Sequence, residues 1–219
     1  MESNFWLEQW NKGETGWHRD DVHPDLTAHW PTLGLPQHSR VLVPLCGASL
    51  DMAWLAGQGH EVIGVELSQS ALEQFLARHR VRHIVMEENG FRTFLGGRYQ
   101  LWCGDFFALP DEVFASADAV YDRASLIALP PDMRKRYAAT LGDRLSPGTR
   151  ILLITFTYDA AQMKGPPFSV PDDEVRALFH ERFDVAELKT IDALAANDGL
   201  RQRGLTALTE TTFILTRKP

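Results

Sequence analysis

Val41–Gly64 reads VLVPLCGASLDMAWLAGQGHEVIG, and this stretch decides the fold. Val41–Val43 is a short apolar strand. Pro44 stops it, because proline cannot donate to a sheet ladder. Ser49–Ala56 has the helical period, with Leu50, Ala53 and Trp54 at i, i+3 and i+4. Gly57 and Gly59 end that helix. His60–Leu67 (HEVIGVEL) is a second strand. Strand, tight turn, helix, tight turn, strand is the opening unit of a doubly wound α/β domain.

The same alternation continues outward. Ser70-x-x-Glu73 is a capping box, and Leu72, Phe75 and Leu76 form the apolar stripe of the next helix. Two adjacent strand–helix units with apolar strands predict a parallel sheet covered on both faces. FRTFL and RYQLWC flank Gly96-Gly97 as the arms of a hairpin. Further strands are expected at Ala119–Tyr121, Arg150–Thr157, Phe183–Leu188 and Thr211–Thr216, and helices at Met133–Leu145 and Asp172–Phe179. The expectation is a three-layer, Rossmann-like α/β fold of about seven strands, mostly parallel, with an antiparallel edge made by the last two.

Residues 1–35 stand outside this alternation and are dense in aromatics: Phe5, Trp6, Trp10, Trp17 and Trp30. Trp6 and Trp10 share one face of a short helix that Gly13 ends. Pro24 suits the first turn of a second helix with Leu26 and Trp30 inside. The segment reads as a helical cover that packs on the sheet and, placed over the strand ends, closes a ligand pocket. One domain over 1–219 is expected, with 1–35 as lid and 36–219 as core.

Composition excludes several classes. With 44% hydrophobic and 23% charged residues the chain is ordinary for a globular protein. A net charge of −7 and a pI near 5.6 disfavour nucleic-acid partners. The one basic run, Arg78–His83 (RHRVRH), reads as a solvated helix end, since no aromatics interleave with it. Apolar runs such as Ile151–Ile154 fall far short of the ~20 residues a membrane span needs. MESNFW lacks the layout of an export signal. Cys46 and Cys103 make no disulfide framework or zinc pattern. A cytoplasmic monomer with reduced thiols, each near a strand end, is expected.

In an open α/β sheet, ligands bind outside the carboxyl ends of the strands. The candidates there are Leu45–Ser49, Glu66, Gly104-Asp105 and Asp122-Arg123. Glu66 follows Gly47 by 19 residues, a spacing at which a carboxylate holds a ribose diol; the alternative is a cap for the helix near Ser70. Gly47 stands where dinucleotide binders place three glycines to approach a pyrophosphate. A nucleoside ligand without phosphate, such as S-adenosylmethionine (SAM), needs no such loop. Asp105 can reach an adenine amino group or cap a helix. Arg123 needs a carboxylate, either that of Asp122 or that of a ligand. His18 and His23 lack a third ligand, so no metal site is expected. No G-x-S-x-G, H-E-x-x-H or P-loop motif is present.

With FWLEQWNKGETGWH, PLCG-x-x-x-D-x-x-x-L, GDFFALP, YDRASLIALPPDMR and KGPPF, the chain resembles the thiopurine S-methyltransferase family in its bacterial form over nearly its whole length. The resemblance implies a class I methyltransferase fold and SAM contacts at Trp10, Leu45, Glu66 and Arg123, with Asp105 beside the adenine. It implies a substrate side at Trp17, His18 and Lys164–Phe168. It also implies methylation of aromatic and heterocyclic thiols; bacterial members are associated with selenium and tellurium compounds as well. No dedicated catalytic base is implied, since thiolates are already strong nucleophiles. Arg123 can act on thiolate or cofactor. Competing readings are a non-catalytic adenosyl-ligand module, a halide or thiol methyltransferase of the same fold, and an NAD-dependent reductase that the single-glycine loop disfavours. Glu66→Ala is expected to weaken SAM binding with little loss of stability.

Overall fold

The computed structural model describes residues 3–13 and 19–219. They fall into two compact units divided between Tyr121 and Asp122. Trp17 and His18 lie outside the described residues.

The first unit runs α1 (Ser3–Lys12), α2 (Pro24–His29), β1 (Arg40–Val43), α3 (Leu50–Gly57), β2 (Glu61–Glu66), α4 (Gln69–Arg78), β3 (Ile84–Glu88), β4 (Phe91–Gly96), β5 (Tyr99–Cys103), α5 (Asp111–Ala115) and β6 (Ala119–Arg123), whose last two residues pass the boundary. Its strand order is β3-β4-β5-β2-β1-β6. β5, β2, β1 and β6 are parallel neighbours, and β3-β4-β5 is an antiparallel meander. Val41, Leu42, Val62, Ile63 and Leu101 are buried, as apolar runs in a sheet covered on both faces require.

The helix after β2 begins earlier than the capping box predicts. Ser68, not Ser70, is its N-cap and accepts the N–H of Ala71. The chain reverses directly after Glu66, so the first serine of the turn takes the cap.

Residues 23–33 are built into this unit. Leu26, Trp30 and Leu33 are buried, as the inner-face reading predicts. Two polar clamps hold the segment. The backbone N–H of His23 donates to Asp51 Oδ1 at 2.9 Å, and Tyr121 Oη donates to the other oxygen at 2.8 Å. Trp30 Nε1 donates to His60 Nε2 at 3.0 Å. An indole N–H only donates, so Nε2 of His60 must be bare and the ring neutral.

Burial, then the nearby Arg98, hold the His60 pKa below its ordinary 6.5; Asp118 opposes them and His38 adds to them. The unfolded chain therefore binds the proton more readily. Stability from this clamp is fully present above about pH 6.5 and falls as pH drops through the lowered folded value. Urea midpoints measured from pH 8 to pH 5 are expected to decline in this window, and His60→Gln is expected to flatten that decline. An unchanged slope in the variant removes His60 as the cause.

The second unit runs α6 (Pro131–Arg144), β7 (Arg150–Thr157), α7 (Asp172–Phe179), β8 (Phe183–Asp192), α8 (Asp198–Gln202) and β9 (Thr209–Arg217). Its strands lie in the order β7-β9-β8, antiparallel throughout. The expected antiparallel pairing of the last two strands is present. Tyr137, Leu141, Phe179, Phe183 and Phe213 form its core. A satellite cluster of Tyr158, Met163, Ala193, Leu205 and Leu208 fills the space beside the β8–β9 connection.

The described residues hold nine strands, against about seven expected. β4, taken as a hairpin arm, belongs to the main ladder of its unit. β3 was not expected at all. Each of its residues is exposed, so it carries no period of burial from which a strand can be read.

Candidate active site

The first unit brings four of the sequence-predicted positions together. β1 ends at Val43, and the chain turns with Leu45 at φ 46° and Gly47 at φ 53°. Left-handed backbone is ordinary for glycine and strained for leucine, and such residues gather where a turn must be held for a ligand. The N–H of Cys46 donates to Val65 O at 3.0 Å, which carries the β1–β2 ladder into the turn. Gly64 makes room for it: a Cβ there would lie 2.9 Å from Cys46 Sγ and 2.8 Å from Leu101.

Glu66 is the hub of this corner. It is only 8% exposed. One carboxylate oxygen accepts the N–H of Gly47 at 2.9 Å and the other accepts the N–H of Ser68 at 2.9 Å. Its carbonyl accepts the N–H of Gly104 at 2.9 Å, tying the β5 exit to the same place. Burial raises the carboxyl pKa, and the backbone N–H groups of Ser68, Gly47 and Leu67 oppose that rise. A carboxylate offers about four lone-pair directions, so it keeps acceptor capacity beyond these backbone bonds. The residue braces the turn into α4, whose N-cap is Ser68.

Asp105 stands exposed next to this corner. It caps a 3-10 turn by accepting the N–H of Phe107 at 3.0 Å. Trp10 lies at the end of α1 and is buried, with its carbonyl accepting the N–H of Gly13. α1 packs against α4, the helix that follows Glu66.

The two thiols share this corner, as their places near strand ends suggested. Burial, then the charge of Glu66, raise Cys46 well above an ordinary thiol, and Cys103 adds to the rise. Cys103 is raised by its own burial and then by Glu66. Neither is a thiolate at neutral pH, so neither is equipped as a nucleophile.

The N-terminus of α3 differs from that of a dinucleotide binder. In dinucleotide binders this end of the helix faces the pyrophosphate. Here Ser49 Oγ accepts the N–H of Asp51, and the Asp51 carboxylate sits in the first turn. A fixed carboxylate at the positive end of the helix repels a phosphate. Asp51 is the aspartate of PLCG-x-x-x-D, and its role was not read from the sequence.

In the second unit, Asp122 is buried and holds the bend that follows Arg123. It accepts from Tyr137 Oη at 2.7 Å and from the N–H of Leu126 at 3.1 Å, and Ser125 also bonds to it. Burial raises its pKa, while these bonds pull it down. Arg123 is half-buried at the end of β6, and Ala124 follows it at φ 67°. The Lys164–Phe168 loop is fastened nearby in the same unit. Phe168 donates its N–H to Ile127 O at 2.6 Å, Arg203 donates to Pro166 O at 2.9 Å, and the buried Arg134 donates to Ser169 O at 3.0 Å. YDRASLIALPPDMR and KGPPF are thus joined by one backbone bond, and Arg134, which the sequence reading did not single out, ties the residue after KGPPF. His23 caps α2: its Nδ1 accepts the N–H of Asp25 at 3.2 Å.

Comparison with known proteins fits this geometry. The family model described as thiopurine S-methyltransferase matches residues 1–218. The thiopurine S-methyltransferase of Pseudomonas entomophila is 47% identical over 217 residues, covering 99% of this chain and 100% of that one. That of Azotobacter vinelandii is 47% identical over 218 residues, covering 100% of both. Among solved structures, the chain is similar to a Burkholderia thailandensis 1,6-didemethyltoxoflavin-N1-methyltransferase with bound S-adenosylhomocysteine, at a TM-score of 0.68 and 18% identity over 99% of this chain and 87% of that one. A SAM-dependent methyltransferase from Methanosarcina mazei gives 0.64 at 16% identity, over 90% and 99%. At these identities the structures establish the fold. Among the described residues no helix is long and apolar enough to cross a membrane.

Proposed function

The chain belongs to the thiopurine S-methyltransferase family, and from that premise we propose that it transfers a methyl group from SAM to the sulfur of a thiopurine or a related aromatic or heterocyclic thiol. The observation that carries the reading is Glu66: a buried carboxylate, braced by two backbone N–H groups, with acceptor capacity to spare beside a turn that refuses phosphate.

When bound, SAM supplies an electrophilic methyl carbon together with its leaving group. The chain's task is then to hold, align and keep dry. Glu66 takes the ribose hydroxyls. Leu45 and Gly47 offer the strained turn as a wall for the amino-acid part. Asp105 is proposed to meet the adenine amino group, with Phe106 and Phe107 beside it. Arg123 is proposed to pair with the ligand carboxylate or to favour an anionic acceptor sulfur. Trp10 covers the cofactor. Trp17, His18 and the Lys164–Phe168 loop are proposed for the acceptor side. No side-chain base is needed for a sulfur that ionises readily, so alignment and exclusion of water supply the acceleration. The setting is cytoplasmic on the same reading, and both thiols are free.

The test is transfer of labelled methyl from SAM across a panel of thiopurines, other aromatic thiols, selenite, tellurite and halides. Thiol methylation is the expected result. Binding of S-adenosylhomocysteine without transfer to any acceptor would leave a binding module instead. Preference for halide would move the chain within the methyltransferases.

Trp10→Ala tests the cover. SAM is expected to protect residues 1–35 of the wild-type chain from protease, and the variant is expected to lose most of that protection. If SAM protects neither protein, the cover plays no part in binding.

A further inference from the structure

Three neighbouring backbone groups of the second unit are each tied down. Tyr158 Oη donates to Pro167 O, Phe168 donates its N–H to Ile127 O at 2.6 Å, and Arg134 Nη1 donates to Ser169 O at 3.0 Å. Ser169 Oγ adds two bonds to the Tyr158 backbone, accepting its N–H at 3.0 Å and donating to its carbonyl at 2.8 Å. Phe168, at the centre, stays partly exposed. Its ring lies against Gly165. A Cβ on Gly165 would stand 2.5 Å from that ring, and the φ of 76° is one that glycine takes without strain. A partly exposed aromatic ring is thus fixed by bonds on its own backbone and on both neighbours.

Arg134 is an unusual anchor for such a place. Its side chain is 4% exposed, its Nη1 also bonds Glu174 at 3.2 Å, and its Nε meets no acceptor among the described residues. Apolar residues of similar volume commonly match or exceed the stability of a buried ion pair. The pair is therefore explained better by the backbone it holds in place than by the stability it adds.

We propose that Phe168 is the ring on which a flat acceptor lies, and that Arg134 and Tyr158 are positioning residues that act through it. The proposal rests on the acceptor-side reading of the Lys164–Phe168 loop and deepens it: the loop selects an aromatic or heterocyclic carrier of the sulfur over an aliphatic one. An aromatic face set against another contributes beyond the area it buries. A ring already held still loses little freedom when the acceptor arrives, so more of that contribution appears as affinity.

Calorimetry of 6-mercaptopurine binding to the chain loaded with S-adenosylhomocysteine tests this, with KM and kcat for the same compound beside it. Phe168→Leu is expected to weaken binding and raise KM about fivefold, while S-adenosylhomocysteine affinity stays within about twofold. Phe168→Tyr keeps a flat ring and is expected to retain most of the wild-type affinity. The purine protons of the bound compound are expected to shift upfield in the NMR spectrum with wild type and Phe168→Tyr, and to lose that shift with Phe168→Leu. Tyr158→Phe is expected to weaken purine binding about threefold, and so is Arg134→Met combined with Glu174→Gln, which strands no charge. Neither change is expected to add to the loss in the Phe168→Leu background, since both act through that ring. Circular dichroism checks that each variant is folded. Wild-type purine affinity in Phe168→Leu overturns the proposal, and so do losses that simply add in the combined variants. If the wild-type chain neither binds nor methylates 6-mercaptopurine, the acceptor reading falls and takes the proposal with it. If it does both and Phe168→Leu behaves the same, the proposal falls alone.

Discussion

Glu66→Ala is expected to lower SAM affinity about a hundredfold, the equivalent of roughly 3 kcal/mol and the scale of losing charge-assisted hydrogen bonds from a buried carboxylate to a diol. Titration calorimetry gives the affinity directly, and wild-type affinity in the variant would remove Glu66 from the cofactor site. The structure also revises the side effect. Removing the carboxylate strands the N–H groups of Gly47 and Ser68 in a buried corner. The expectation of little stability loss therefore gives way to a loss of about 1–3 kcal/mol. Glu66→Gln separates the two roles poorly, because its amide nitrogen must face one of those N–H donors. Affinity should accordingly be measured well below the variant's melting point, with the folded fraction checked by circular dichroism.

Asp122→Ala is expected to be the most destabilising of the changes considered. Its two oxygens serve Tyr137 Oη and the N–H of Leu126, both buried, with Ser125 as a further partner. Stranding them costs on the order of 3 kcal/mol, or about 10 °C in melting temperature for a chain of this size. Asp122→Asn keeps one carbonyl acceptor and is expected to cost less. Tyr137→Phe in the Asp122→Ala background is expected to cost little more, since its partner is already gone. A melting temperature for Asp122→Ala within a degree or two of wild type would show that the carboxylate does not hold this bend. Methyl transfer should fall as well, because the bend fixes the exit of Arg123.

These two carboxylates show how far the chain could be read before its structure. The place of Glu66 was legible because a charged residue ending an apolar strand stands out from it, and it is the last residue of β2. Its bond to the turn was not, since acceptance of the Gly47 N–H goes with a left-handed Leu45 that no pattern announces. Asp51 and Asp122 were visible within motifs, yet their partners come from distant positions: Tyr121 lies 70 residues from Asp51, and Tyr137 lies 15 from Asp122. Local spacing carries no trace of such pairings. The fold shows the same divide. β7 and α7 fall on their expected bounds: β7 is a continuous buried apolar run, and α7 buries Val175 and Phe179 at i and i+4. β3 escaped notice because nothing buries it. Ser68 displaced Ser70 as cap because the geometry of the preceding turn outranks the local capping pattern.

The double clamp on residues 23–33 bears on how the protein can be instrumented. His23 is pinned to Asp51 and Trp30 to His60, so any rearrangement that ligands cause in the N-terminal segment must pivot upstream of His23. A fluorophore on the exposed Lys12 rides on that side of the pivot, whereas one on the exposed Ala28 stays with the sheet and serves as a fixed reference. A Förster pair built on those two positions reads out any such rearrangement as a distance.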